Sequence, residues 1–177
     1  LGMRLVIYTF VRTSELRLAE WKEFELKSVN PVWTIPAKRM KMRREHLVPL
    51  SKQAVQILQQ VAEISGGERL VFPSQNNPNK PMSENTLLFA IYRMGYHSRA
   101  TTHGFRSVAS TILNESEKWH SDAIERQLAH VESNKVRAAY DRAEHLPERR
   151  RMMQWWADYL DSLLQPADVI DLEKHRA

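Results

Sequence analysis

The chain has 177 residues, 42% of them hydrophobic and 27% charged, which is enough for one domain with a real core and unlike a disordered tract. Its formal net charge of +5 favours an acidic partner such as nucleic acid, and the lack of cysteine excludes disulfides and thiolate metal sites and suits a reducing cytoplasm. No apolar run approaches the roughly 18 residues of a membrane span, no secretory leader is visible, and no His-Glu-x-x-His pair is present.

In chain order, residues 3 to 11 are apolar enough for a buried helix. Thr13-Ser14 then offers an N-cap for a short second helix through Leu16, Leu18 and Trp21. From Glu25 to Leu50 the pattern turns β-like. Val32-Trp-Thr-Ile35 ends at Pro36, and Glu45-His-Leu-Val48 ends at Pro49. Phe24-Glu-Leu26 adds a first strand, and a basic connection, Lys38-Arg-Met-Lys-Met-Arg-Arg44, lies between the other two. Ser51 caps a helix whose Ala54, Val55, Ile57, Leu58, Val61 and Ala62 keep helical spacing until Gly66-Gly67 stops it. After the short apolar piece Leu70-Val-Phe72, residues 75 to 81 read as a polar loop rich in Asn and Pro.

Ser83 caps the next helix, with Leu87, Leu88, Ile91 and Met94 on its buried face. Thr101-Thr102 precedes a helix that turns Phe105, Val108, Ala109, Ile112 and Leu113 inward. A Ser121 cap opens a helix ending near His130, Ser133 caps another carrying Tyr140, and Pro147 sits in the first turn of a last helix with a wide apolar stripe through Trp155 and Trp156. The expectation is a mainly α fold with a small three-stranded antiparallel sheet.

Several side chains can act on a phosphate. His103 and Arg106, three apart on a helix, share one face. Arg12 at a helix junction would ordinarily form a surface ion pair, yet Glu15 three residues on could hold its guanidinium in one orientation. The basic run at 38 to 44 reads either as a solvated hairpin or as a groove-reaching tip with Lys41 at its end. A lone Tyr140 is ordinarily a half-buried tyrosine with its hydroxyl bonded, and a lone His103 a satisfied structural histidine.

The order of these parts changes the reading. Arg12-Thr-Ser-Glu-Leu16, then Lys41 ahead of Leu47-Val-Pro-Leu50, then His103-Gly-Phe-Arg106, then Leu128-Ala-His130, then Tyr140, closely resembles the tyrosine recombinase (phage integrase) family. The resemblance runs from about residue 3 to residue 164. Val136-Arg-Ala-Ala-Tyr140 and the later Arg149-Arg-Arg-Met-Met-Gln-Trp-Trp156 look most like the branch of prophage and genomic-island integrases. Two departures stand out: Ala129 replaces the usual glycine before the histidine, and His130 to Tyr140 is one residue longer than in many members.

The resemblance implies the tyrosine recombinase catalytic-domain fold over residues 1–165, a flexible tail over 166–177, and DNA-binding domains upstream of this sequence. It implies a site-specific recombinase that breaks and rejoins DNA through a covalent 3′-phosphotyrosine, without metal or other cofactor, to integrate or excise a prophage or genomic island. In that reading Arg12 and Arg106 bind the scissile phosphate, with Glu15 supporting Arg12. His103 is the base, Lys41 the general acid, His130 a hydrogen-bond donor and Tyr140 the nucleophile. Lys38, Arg39, Arg43 and Arg44 contact DNA. The implied partner is double-stranded DNA at attachment sites, bound as a tetramer although the isolated domain is a monomer. No membrane is involved, and the implied setting is the nucleoid in a bacterial cytoplasm. The rivals are a catalytically silent DNA-binding regulator, a type IB topoisomerase-like nicking-closing enzyme, and a helical interaction module.

Overall fold

The computed structural model describes residues 1–40, 43–130 and 145–164. Seven helices are found among them: α1 (Gly2–Thr9), α2 (Thr13–Arg17), α3 (Lys52–Ser65), α4 (Thr86–Arg93), α5 (Thr102–Glu115), α6 (Ser121–Gln127) and α7 (Leu146–Ser162). Three strands, β1 (Phe24–Glu25), β2 (Val32–Ile35) and β3 (His46–Pro49), form an antiparallel sheet in sequence order. Trp33 pairs with both Phe24 and Val48, and Ile35 with His46. That register sends Trp33, Ile35 and Val48 to the core face, where all three are fully buried. The expected α-rich fold with a three-stranded sheet is therefore present.

Two apolar clusters flank α1. One face of that helix, through Leu5 and Val6, joins Leu16, the sheet residues and Ile57, Leu58 and Val61 of α3. At its end Phe10 joins the second cluster, with Ala109 and Leu113 of α5, Ile124 of α6 and Met152, Met153 and Trp156 of α7. Trp156 meets Phe10 edge to face at 6.1 Å, and its indole N–H donates to the Ile7 carbonyl at 3.0 Å. Helix α7 thus packs on α1, against the second cluster.

Local signals explain most boundaries. Ser51 caps α3 by accepting from the Ala54 N–H, and Gly66 ends it in the left-handed region at φ 73°. Thr101 caps α5 by accepting from the Gly104 N–H. Other expectations shift. The first helix stops at Thr9, because Phe10 turns left-handed (φ 39°). The second has Arg12 as its N-cap and ends at Arg17, with Trp21 in a separate 3-10 turn. His120, not Ser121, caps α6, its Nδ1 accepting from the Asp122 N–H.

The polar loop expected at 75–81 is instead a second hairpin, β4 (Pro73–Ser74) with β5 (Asn77–Pro81). Its prolines sit in a two-stranded edge ribbon, where a missing N–H is tolerated. Val108 and Met94 are exposed rather than inward. The buried stripe of α5 runs Arg106, Ala109, Leu113, and Val108 falls beside it; Met94 caps α4 instead of lying within it.

Candidate active site

The site begins where α1 ends. The left-handed turn at Phe10 lets α2 start at once, with Arg12 as its N-cap in extended conformation (φ −71°, ψ 148°). Glu15, third in that helix, reaches back. Its Oε2 accepts from the Arg12 backbone N–H at 2.8 Å, and its Oε1 accepts from Arg12 Nη1 at 2.7 Å. Glu15 is buried while the Arg12 side chain is about one-third exposed. A carboxylate fixed from below thus holds a guanidinium that still faces solvent.

The first turn of α5 supplies the opposite wall. Arg12, Thr13 and Ser14 from one side, and Thr102, His103 and Arg106 from the other, line an open pocket of about 220 Å³, with Val11 between them. Helix α5 directs its N-terminal, partially positive end into this space, adding to the field of the two arginines. His103 is exposed there. Arg106 is buried, and its Nη1 donates to the Phe10 carbonyl at 2.7 Å. Its Nη2 is buried without a hydrogen-bond partner among the described residues. Burial pushes the Arg106 guanidinium down to about 10, assisted by Arg12 and opposed by Glu15 and Glu125, so it stays a cation at neutral pH. Such a donor, desolvated and underused, suits an anion's oxygen atoms.

His130 stands at the end of α6. The Ala129 N–H bonds the Arg126 carbonyl at 3.1 Å and the His130 N–H bonds the Glu125 carbonyl at 3.0 Å, which is the Schellman pattern. Ala129 occupies its left-handed position at φ 47°. The turn leaves the His130 ring half-exposed, with Nδ1 against Glu125 Oε2 at 2.8 Å. That partner, Glu125, is the same carboxylate whose charge is felt by Arg106.

The pocket therefore brings together Arg12, His103 and Arg106, with Glu15 behind Arg12. Lys41 and Tyr140 lie outside the described residues. Of the expected DNA contacts, Lys38, Arg43 and Arg44 are exposed. Arg39 is different. Its guanidinium turns inward, paired with the Glu23 carboxylate and donating from Nη1 to the Glu15 carbonyl at 3.0 Å. Among the described residues no three His, Cys, Asp or Glu side chains cluster so as to hold a metal, and no helix is long and apolar enough to cross a membrane.

Two buried groups behind the site carry no sequence signal of their own. His46, at the start of β3, is pushed down to about 3 by burial, then by Arg149 and Arg106, and by Arg126, against a hydrogen bond to the Gln127 backbone. Arg149, on the first turn of α7, is fully buried and donates to the Leu47 carbonyl and, from Nε and Nη2, to Gln127 Oε1. The Phe10 carbonyl is equally silent, since any residue supplies one. Only the fold sets it against Arg106.

In a mainly helical domain, two arginines and a histidine line one polar pocket, an arrangement whose donors suit the oxygens of an anion. The chain belongs to the Phage integrase family, the tyrosine recombinases, whose sequence profile matches residues 1–145. It is 50% identical to the integrase of Enterobacteria phage P4, over 91% of this chain and 40% of that protein. It is 47% identical to the prophage integrase IntA of Escherichia coli K12, over 86% of this chain and 36% of that one. The chain spans about two fifths of the length of such relatives. The crystal structure of XerA recombinase shares the fold, with a TM-score of 0.57 at 14% identity, covering 93% of this chain and 56% of that one.

Proposed function

We propose that this chain is the catalytic domain of a site-specific DNA recombinase that integrates or excises a prophage or genomic island, as the names of its integrase relatives suggest. In this reading residues 1–165 carry the chemistry and further DNA-binding domains precede them; the tail expected at 166–177 lies outside the described residues. The observation that supports it most is the shared pocket of Arg12, His103 and Arg106, in which Arg106 keeps an unused buried donor.

The substrate is a duplex-DNA phosphodiester. Arg12 and Arg106 neutralise the non-bridging oxygens as charge builds in the pentacovalent transition state. Each preorganised contact of this kind is worth roughly 10²–10³ in rate. Tyr140 attacks phosphorus in line; the bond from phosphorus to the 5′-oxygen breaks and a 3′-phosphotyrosine forms. His103 takes the phenol proton, since a phenol of ordinary pKa near 10 is a weak nucleophile. Lys41 protonates the leaving 5′-oxygen, and His130 donates a hydrogen bond to the reacting phosphate. Attack by the 5′-hydroxyl of a partner strand reverses the step, so phosphodiester energy is kept in the protein–DNA bond. Lys38, Arg43 and Arg44 track the backbone, and each phosphate neutralised lowers the log–log salt slope by about 0.9.

Tyr140→Phe tests the core of this reading. The variant is expected to bind a duplex attachment-site DNA with unchanged affinity and to form no covalent adduct on a nicked suicide substrate. The wild type should form one, with the modification mapped to Tyr140 by mass spectrometry. An adduct in the phenylalanine variant would remove Tyr140 from the mechanism. A wild-type adduct that only reseals its own strand would point to nicking-closing rather than exchange.

A further inference from the structure

Arg39 sits in a 3-10 turn (Ala37–Arg39) that follows β2, among cations that face solvent, yet its side chain is only 11% exposed. Its Nη2 pairs with Glu23, whose Oε2 also accepts from the Trp33 indole N–H at 3.0 Å. From the other side Nη1 donates to the Glu15 backbone carbonyl at 3.0 Å. Helix α2 has only five residues, so its last carbonyls lack intrahelical partners, and Arg39 satisfies one of them from outside the helix. The residue it holds is Glu15, whose carboxylate in turn fixes both the backbone and the guanidinium of Arg12. A continuous line therefore runs from the sheet, through Trp33, Glu23, Arg39 and Glu15, to the exposed guanidinium of Arg12.

We propose that Arg39 is a positioning residue for the reaction: it locks α2 to the sheet and so sets where Arg12 presents its donors to the scissile phosphate. The inference rests on the reading of Arg12 given above. Burial lowers the Arg39 guanidinium's pKa, and the charges of Glu23, Glu20 and Glu15 oppose that shift. A lysine at this position could pair with Glu23 but lacks the fork that spans both acceptors.

The experiment measures single-turnover adduct formation and duplex-DNA affinity across a salt series. It uses the protein with its upstream domains and compares Arg39→Gln, the charge-balanced pair Arg39→Gln with Glu23→Gln, and Arg12→Ala. Arg39→Gln should slow cleavage about 10–100-fold, the usual cost of losing an outer-shell support. Its affinity should stay within about threefold and its salt slope should not change, unlike that of Arg43→Ala. The double variant guards against misfolding from an unpaired Glu23.

A second substrate carries an uncharged methylphosphonate at the scissile position, which removes the charge Arg12 is there to neutralise. It should restore Arg39→Gln and Arg12→Ala alike. Wild-type cleavage rates in both Arg39 variants would overturn the proposal. So would a slow Arg39→Gln that stays slow on the methylphosphonate while Arg12→Ala recovers. A reduced salt slope in Arg39→Gln would return Arg39 to the DNA-contacting cations. If Arg12→Ala itself fails to recover, the fault lies in the role assigned to Arg12, not in the relay.

Discussion

Arg106 reaches across 96 positions of sequence to place its Nη1 2.7 Å from the Phe10 carbonyl, two residues ahead of Arg12. That bond consumes one arm of a buried fork and, among the described residues, leaves Nη2 without a hydrogen-bond partner, so one arm anchors the side chain while the other keeps its donor capacity. Lysine would keep the charge but could not do both. Arg106→Lys is therefore expected to lower the single-turnover cleavage rate by roughly 10²–10³, with DNA affinity changed less than about threefold. Cleavage assays paired with binding isotherms check this. A lysine variant within tenfold of wild type would mean that charge alone suffices.

Ala129 stands at φ 47° in the turn that ends α6, where a Cβ is disfavoured and glycine is the usual occupant. The Schellman hydrogen bonds on either side hold it there despite the strain. Ala129→Gly should relieve this and raise stability by about 1 kcal/mol, less the extra freedom glycine gains in the unfolded chain. Thermal unfolding should show a net Tm increase, below the roughly 2–4 °C that a full 1 kcal/mol would give. An unchanged or lower Tm would mean that the strain relieved is no larger than the entropy glycine gains in the unfolded chain.

How much of this was legible in the sequence depends on the range of the interaction. Short-range signals were readable: the Ser51 cap, the Gly66 stop, the strand Val32–Ile35, and the i, i+3 pairs Arg12–Glu15 and His103–Arg106. That Arg39 turns inward was not legible, because composition shows a basic run but not which member meets a buried Glu23 from 16 residues earlier. Residues 75–81 looked like a loop because Asn and Pro are depleted in strands in general, though not at the edge of a short ribbon. The roles of the Phe10 carbonyl, His46 and Arg149 are set by contacts between distant elements, which no local pattern encodes.

His46 gives the fold an acid-sensitive point. Its folded-state value near 3 lies below the ordinary 6.5 of an exposed histidine. Between these values the unfolded chain carries a proton that the folded one excludes. The stability His46 allows is thus complete above about pH 6.5 and is lost as pH falls towards 3. At pH 5 the loss is about 2 kcal/mol. His46→Gln, which has no titratable ring, should lose correspondingly less between pH 7 and pH 5 than the wild type does in urea unfolding at the two values. Identical pH dependence in the two proteins would show that the imidazole is not the group responsible.

Arg149 lets the tethering and the electrostatics of this region be separated. It is fully buried and ties α7 to β3 through the Leu47 carbonyl and to α6 through Gln127, and its charge helps hold His46 neutral. Methionine removes both the donors and the charge; lysine removes the fork but keeps the charge. Methionine leaves the Leu47 and Gln127 acceptors without donors and lysine lacks the fork that spans both, so at pH 7 each should destabilise by about 2–4 kcal/mol. They should diverge on acidification. Without the neighbouring cation, His46 takes up its proton more readily in the folded state, and Arg149→Met should show a shallower loss of stability from pH 7 to about pH 3.5, close to the folded value, whereas at pH 5 the folded imidazole is neutral either way. Arg149→Lys should keep the steep wild-type loss. Urea unfolding of the three proteins at pH 7 and about pH 3.5 decides it: equal losses in the two variants would mean that burial alone, the larger cause, holds His46 down.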